Sequence, residues 1–285
     1  MAADLQLGQP DFSSTMNFKR GLAGPQGVLA IGSKFVATDC LNSRVLIWNS
    51  IPTSASSEPD VVLGQRTLMG AVQVPPLGPS MFGCPQRIAS DGTKLAVSDS
   101  TTRRVMIWNS IPTTNDAPAD FVLGAPSTSL VGSTLTTAST FGALQGISFG
   151  PSGQFAAADT SKNRVLLWNS LSGASGQPAD LVVGQTDFTS STLGACTASG
   201  LASPRDVSFI GSSLFIADFG HGRILKFNSI PGGDNANADT VIGQTNLTTC
   251  SLVTTSSTLM KGPTALTTDG SRLFAANSGT NNVSV

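Results

Sequence analysis

"KNRVLLWNSLSGASGQPADLVVGQ" occupies residues 162–185, and nearly the same words stand at residues 42–65 as "NSRVLIWNSIPTSASSEPDVVLGQ" and at residues 103–125 as "RRVMIWNSIPTTNDAPADFVLGA". A phrase that recurs at a fixed interval marks a repeat architecture, so the interval is the first quantity to measure. Its aromatic residue returns as Trp48, Trp108, Trp168 and then Phe227, at steps of 60, 60 and 59. An acidic position keeps the same time as Asp39, Asp99, Asp159 and Asp218, and a fifth copy carries Asn277, at steps of 60, 60, 59 and 59. Five copies of a unit of about 60 residues follow.

Each unit reads as four short strands. The first holds "QGVLAI", "QRIAS", "QGISF", "RDVSFI" or "TALTT", and the second "KFVAT", "KLAVS", "QFAAA", "LFIAD" or "LFAAN". Turn residues such as "DGT" and "PSG" lie between them and close hairpins. The third strand is "RVLIW" and its relatives; the fourth is "DVVLGQ", "DFVLGA", "DLVVGQ" or "DTVIGQ". Glycine and proline punctuate the chain and β-branched residues fill the strands, so no helical period is sustained. A four-stranded meander cannot cover both its faces alone, and copies that stack face to face around an axis form a β-propeller.

The fold expected is therefore all-β, a five-bladed β-propeller of four-stranded antiparallel blades in a single domain over residues 1–285. Its blades cover about 24–65, 84–125, 143–185, 203–244, and 262–285 with 3–9. The last assignment rests on "ADLQLGQ" at residues 3–9, which matches "ADLVVGQ" at 179–185, whereas the final copy stops at "NNVSV" before a fourth strand. The N-terminal segment is thus expected to complete the last blade, with Leu5 and Leu7 beside Val283, so that no open edge remains.

With 40% hydrophobic and 12% charged residues the chain buries a sizeable core. Sixteen basic residues against seventeen acidic ones leave a net charge of -1, which gives no general attraction to nucleic acid or anionic membrane. No apolar run approaches about 18 residues. The opening "MAADLQLGQPDF" lacks the basic and apolar segments of a signal peptide, as a cytoplasmic chain or one whose leader has been removed would.

The pattern Pro-x-Gly-Val, then Asp, a short loop and Arg-Val/Ile, seen in "GPQGV…TDCLNSRV" and "SPRDV…ADFGHGRI", resembles the NHL-repeat family across essentially the whole chain. The resemblance implies a propeller that acts as a non-enzymatic scaffold for a protein or peptide partner. Some relatives bind RNA through a basic face, which the charge balance here disfavours. Two alternatives stay open: a lactonase- or lyase-like propeller enzyme with a metal at the axis, and a glycan-binding propeller. A non-enzymatic monomer without a cofactor is expected.

The meander sends the loop between second and third strands to the same face as the long connectors 10–23, 66–83, 126–142, 186–202 and 245–261. These are rich in Ser, Thr and Gly and differ from one another, so binding is expected there. The opposite face carries the near-identical "NSIP…PAD" hairpins. Asp39, Asp99, Asp159 and Asp218 could suggest calcium, but each is matched five positions later by Arg44, Arg104, Arg164 or Arg223. Where the acid becomes Asn277 the base becomes Asn282, which points to structural ion pairs around a tight loop and not to a metal site. Trp48, Trp108, Trp168 and Phe227 read as packing between blades.

His221 is the single histidine, and tyrosine is absent, so no His-rich metal centre or Ser-His-Asp triad is assigned; a carboxylate calcium site like that of gluconolactonase-like propellers stays open. Cys40, Cys84, Cys196 and Cys250 allow three pairings. Cys40 with Cys84 and Cys196 with Cys250 is the most economical pairing, and four free thiols carry similar weight. Disulfides would favour an extracellular or periplasmic location. For ligand binding the reading selects the polar ring Gln26, Gln86, Gln145, Arg205 and Thr264 beside the axis, with Asp206 and His221.

Overall fold

The computed structural model describes residues 3–9, 11, 13, 21–69, 78–252 and 260–285. The first sheet is β1 (Pro25–Ile31), β2 (Lys34–Asp39), β3 (Arg44–Trp48) and β4 (Val61–Leu63); the second is β5 (Pro85–Ser90), β6 (Leu95–Asp99), β7 (Arg104–Trp108) and β8 (Phe121–Leu123). The third is β9 (Leu144–Phe149), β10 (Phe155–Asp159), β11 (Arg164–Trp168) and β12 (Leu181–Val183); the fourth is β13 (Pro204–Ile210), β14 (Ser213–Asp218), β15 (Arg223–Phe227) and β16 (Thr240–Ile242). The fifth is β17 (Pro263–Thr268), β18 (Leu273–Asn277) and β19 (Asn282–Ser284). Each strand pairs antiparallel with the next in sequence, and the sheets stand in a ring with their first strands innermost: a five-bladed β-propeller.

The core lies between blades because each sheet must bury two faces. One cluster joins Val105, Ile107 and Phe121 of the second blade to Phe141, Leu166 and Trp168 of the third; another joins Val45, Ile47 and Leu63 of the first to Met106 and Trp108 of the second. The indole Nε1 groups of Trp48, Trp108 and Trp168 donate to the carbonyls of Ser57, Ala117 and Gln177 at 3.1, 3.1 and 3.2 Å, so each Trp also pins the hairpin that follows it. Those hairpins reach across the seam. Asp116 N, Gly176 N and Asn235 N donate to Val62 O, Val122 O and Val182 O of the preceding blade.

Residues 3–9 form no ladder, so the fifth sheet has three hydrogen-bonded strands, and Val283 is 65% exposed. The segment nevertheless packs against the first blade as a fourth strand packs against its follower. A Cβ on Gly8 would meet Leu22, as one on Gly64, Gly124, Gly184 or Gly243 would meet Phe82, Phe141, Leu201 or Met260, and all five glycines have positive φ. At Gly8 the segment thus meets the first blade as a fourth strand meets its follower, but the expected pairing of Leu5 and Leu7 beside Val283 is not formed. A bare Leu-Gln-Leu sequence supplies fewer β-branched residues to that ladder than Val61–Leu63 does.

Fully buried Asp and Arg side chains join the second and third strands. Arg44 Nε, Arg164 Nε and Arg223 Nε donate to Asp39 Oδ2, Asp159 Oδ2 and Asp218 Oδ2 at 2.8, 3.0 and 2.8 Å. In the second blade Arg104 Nε donates to Thr102 Oγ1 at 3.1 Å, and Thr102 N donates to Asp99 Oδ1 at 3.3 Å, so the hydroxyl residue stands between acid and base. In the fifth, Asn277 Nδ2 donates to Asn282 Oδ1 at 3.1 Å. Burial pushes the Asp159 carboxyl up against the pull of Arg164, which marks the charge as costly once its partner is gone. Arg164→Ala should cost ~3–5 kcal/mol of unfolding free energy, as for one broken partner of a buried pair. The double change Asp159→Asn/Arg164→Asn copies the fifth blade and should cost markedly less; urea midpoints of the two variants, compared directly, check the order.

Candidate functional site

Every first strand carries a β-bulge where it enters the ring, between Pro25 and Val28, Pro85 and Ile88, Leu144 and Ile147, Pro204 and Asp206, and Pro263 and Ala265. The bulge re-aims the next side chains toward the axis. They line a channel of about 490 Å³ whose wall includes Gln26, Val28, Arg87, Ile147, Asp206 and Leu266. At the bulge position the five blades carry Gly27, Arg87, Gly146, Asp206 and Ala265. Small residues alternate with charged ones because neighbours crowd. A Cβ on Gly146 would lie 2.1 Å from Asp206 Oδ1, and one on Gly27 would lie 2.6 Å from Gln86 O.

Asp206 is 5% exposed. Its Oδ1 accepts from Val207 N at 2.9 Å and its Oδ2 from Leu266 N at 2.8 Å, which ties the fourth blade to the fifth. Arg87 Nε stands 4.0 Å from Asp206 Oδ2. The Arg87 fork donates to Gln26 O and, at 3.1 Å, to Thr264 O, so one side chain from the second blade reaches the first and the fifth. Burial pushes the Asp206 carboxyl up to about 6, with Arg87 and the two backbone amides opposing it. Burial and the neighbouring charge of Arg87 draw the Arg205 guanidinium below its usual range.

Of the residues selected from sequence, Gln26 and Asp206 lie in the channel wall. Arg205 stacks on Phe219, 3.5 Å from the ring centroid. Gln86 donates to Cys84 Sγ at 2.9 Å, and Thr264 Oγ1 donates to Ala276 O at 3.1 Å. Gln145 contributes its carbonyl, which accepts from Ser98 Oγ at 2.7 Å. His221 lies away from the channel, its Nδ1 2.9 Å from Asp218 Oδ2, where Asn42 meets Asp39 in the first blade. Arg87 was missed. Its signal is a bulky charge at the repeat position that holds Gly27, Gly146 and Ala265 in three blades and Asp206 in the fourth.

Cys40 is bonded to Cys84 across the seam of the first two blades, and Cys196 to Cys250 between successive connectors. Parts of connectors 10–23, 66–83 and 245–261 lie outside the described residues. Among the described residues no three His, Cys, Asp or Glu side chains cluster as metal ligands would.

No known family profile matches the chain, and no curated protein matches it. Solved structures do. The chain is similar to one in the crystal structure of a nidogen/laminin complex, with 16% identity and a TM-score of 0.53, covering 91% of this chain and 74% of that one. It is similar also to a putative 6-phosphogluconolactonase from Bacteroides uniformis ATCC 8492, with 14% identity and a TM-score of 0.52, covering 90% of this chain and 65%, under two thirds, of that one. At such identities the likeness establishes the propeller fold alone.

The raised Asp206 carboxyl has a defined consequence for stability. A carboxyl with a higher value folded than unfolded binds its proton more tightly in the native state, so its contribution is fully present below the ordinary value of 3.8 and is lost as pH rises through about 6. The loss across that window is on the order of 3 kcal/mol. Asp206→Asn should remove this slope between pH 4 and 6; denaturant midpoints of the two proteins, followed across that range, measure it.

Proposed function

We propose that this chain is a non-enzymatic, NHL-like binding propeller that engages a protein or peptide partner through its connector face. One observation carries the reading. Among the described residues, the large apolar side chains left exposed on the two faces fall mostly on one: Leu41, Met69, Leu130, Val131, Leu135, Leu193 and Leu252 belong to connectors or to the turns beside them. Ile51 is the counterpart on the opposite hairpins. Exposed apolar groups amid Ser and Thr are what a partner's side chains would cover. The nidogen/laminin likeness, a propeller in a complex with a protein, is compatible with this reading at the level of fold.

We also propose an oxidising location, outside the cell or in a periplasm, because two disulfides persist where thiols are not kept reduced. No helix among the described residues is long and apolar enough to cross a membrane.

Peptides selected from a display library on the immobilised protein should lose at least about tenfold in affinity when Leu130, Leu135 and Leu193 are changed to Ser. Ile51→Ser should leave affinity unchanged; equal binding by both variants would remove the face assignment. Separately, Cys40→Ser/Cys84→Ser opens a 44-residue loop and should lower unfolding free energy by about 4 kcal/mol, read from denaturant curves.

A further inference from the structure

The four seams between successive blades are built at equivalent positions, and one of them is left open. At the first seam these positions hold Cys40 and Cys84, joined covalently. At the third they hold Thr160 and Ser203; Thr160 Oγ1 donates to Pro204 O at 2.7 Å, and Ser203 N donates to Asn163 Oδ1 at 2.9 Å. At the fourth, Phe219 covers Gly262, where an added Cβ would meet the ring at 2.8 Å. At the second seam they hold Ser100 and Ala143, and no bond or ring spans them. Instead there is a cavity of about 350 Å³ lined by Ser100, Arg103, Thr134, Gly142, Ser161 and Lys162, with Ala143.

Its chemistry is that of an anion site. Two cationic and three hydroxyl residues line it, and among the described residues neither Arg103 nor Lys162 forms an ion pair or a side-chain hydrogen bond. Asp159, the carboxylate whose charge Lys162 feels, is fully buried and held by Arg164. Ser161 Oγ accepts from Ala143 N at 2.7 Å, which leaves its own proton to donate. Two features of the backbone keep the cavity open and charged. Gly142, like Gly83 of the second blade, stands where the first and fourth blades carry Ala23 and Ala202, and a Cβ there would lie 2.1 Å from Ser161 Oγ and 3.1 Å from Lys162 Cγ. Arg103 holds a left-handed conformation, φ 54°, at a turn position that Ser43, Asn163, Gly222 and Asn281 fill in the other blades. Arginine is a poorer fit there than Asn or Gly, yet it is the residue that brings a charge to this turn.

We infer that this cavity binds a small oxyanion, a sulfate, phosphate or carboxylate group, with Arg103 and Lys162 as charged donors and the Ser100, Thr134 and Ser161 hydroxyls as neutral ones. The inference does not rest on the proposed peptide partner; the site is complete within the second and third blades.

Sulfate, phosphate and glucuronate, titrated against chloride at matched ionic strength, test it through the backbone amide shifts of Gly142, Ala143 and Ser161. Saturable shifts with dissociation constants in the low millimolar range or tighter are expected for at least one. Arg103→Asn/Lys162→Gln should weaken binding at least about tenfold, and so should Gly142→Ala, which keeps both charges and fills the cavity. Arg66→Gln removes a charge from a side chain 92% exposed elsewhere and should change nothing. Glucuronate bound more tightly than sulfate would assign the hydroxyls to the rest of a sugar acid, and equal affinity would confine recognition to the oxyanion. Shifts that never saturate in the wild-type protein, or variants that bind as it does, would overturn the site.

Discussion

The buried arginine fork is the interaction on which this propeller depends. Arg164 illustrates it: Nε donates to Asp159, Nη1 to Phe188 O at 2.6 Å, and Nη2 to Thr137 O and Thr140 O at 3.0 and 2.9 Å. Asp159 Oδ1 in turn accepts from Gly142 N at 2.8 Å. One pair thereby holds the turn between two strands, the connector that leads into the blade and the connector that leaves it. Arg44 and Arg223 do the same through Gly21 and Leu68 and through Gly200 and Leu247. A buried guanidinium is tolerable only when its donors are used, and here they are. The connectors are gripped through carbonyls, which every residue has. Where they are gripped, the connectors are free to differ in sequence without losing the contact, which is the condition for a binding face on a repeat scaffold.

Where the repeat is broken, chemistry gathers. The channel departs from symmetry because Gly27 and Gly146 yield space for Arg87 and Asp206 on the neighbouring blades, so opposite charges meet near the axis at the expense of two side chains. The resulting contacts are structural as much as functional. Arg87 spans three blades and Asp206 two, and a ligand in the channel would have to compete with backbone groups already bound. The second seam departs in the opposite way: its donors are unspent. That contrast separates a charged cluster that holds a ring together from one that is ready to take a ligand.

Much of this was legible in sequence because repetition supplies its own control. The period sets the blade count, and the joint replacement of Asp and Arg by Asn277 and Asn282 identifies a bracket. Facing was harder to read. Strict alternation along a first strand would aim Gln26, Gln86 and Gln145 at the axis, but the bulge inserts a residue at that point, so Gln86 turns to Cys84 while Arg87 takes the channel. His221 is singular in sequence only by rarity, and in space it repeats the contact of Asn42. The seam pocket was invisible because its members come from two turns and a connector of different blades. Only the superposed positions of Cys40 with Ser100 and Cys84 with Ala143 show what is missing there.

The outer edge of each blade depends on its successor. Val61–Leu63 and Phe121–Leu123 are wholly buried, whereas in β16 Thr240 and Ile242 are exposed, although the sequence pattern is the same. The difference lies in the neighbour. The amides of Asp116 and Gly176 come from hairpins that lie over β4 and β8, and the fifth sheet carries no such hairpin among the described residues. At the N-terminal segment, Leu7, Gly8 and Gln9 share the wall of a cavity with Trp48 and residues 55–59 of the first blade. A propeller edge is therefore shielded by the hairpin reaching back from the next blade as well as by its own ladder.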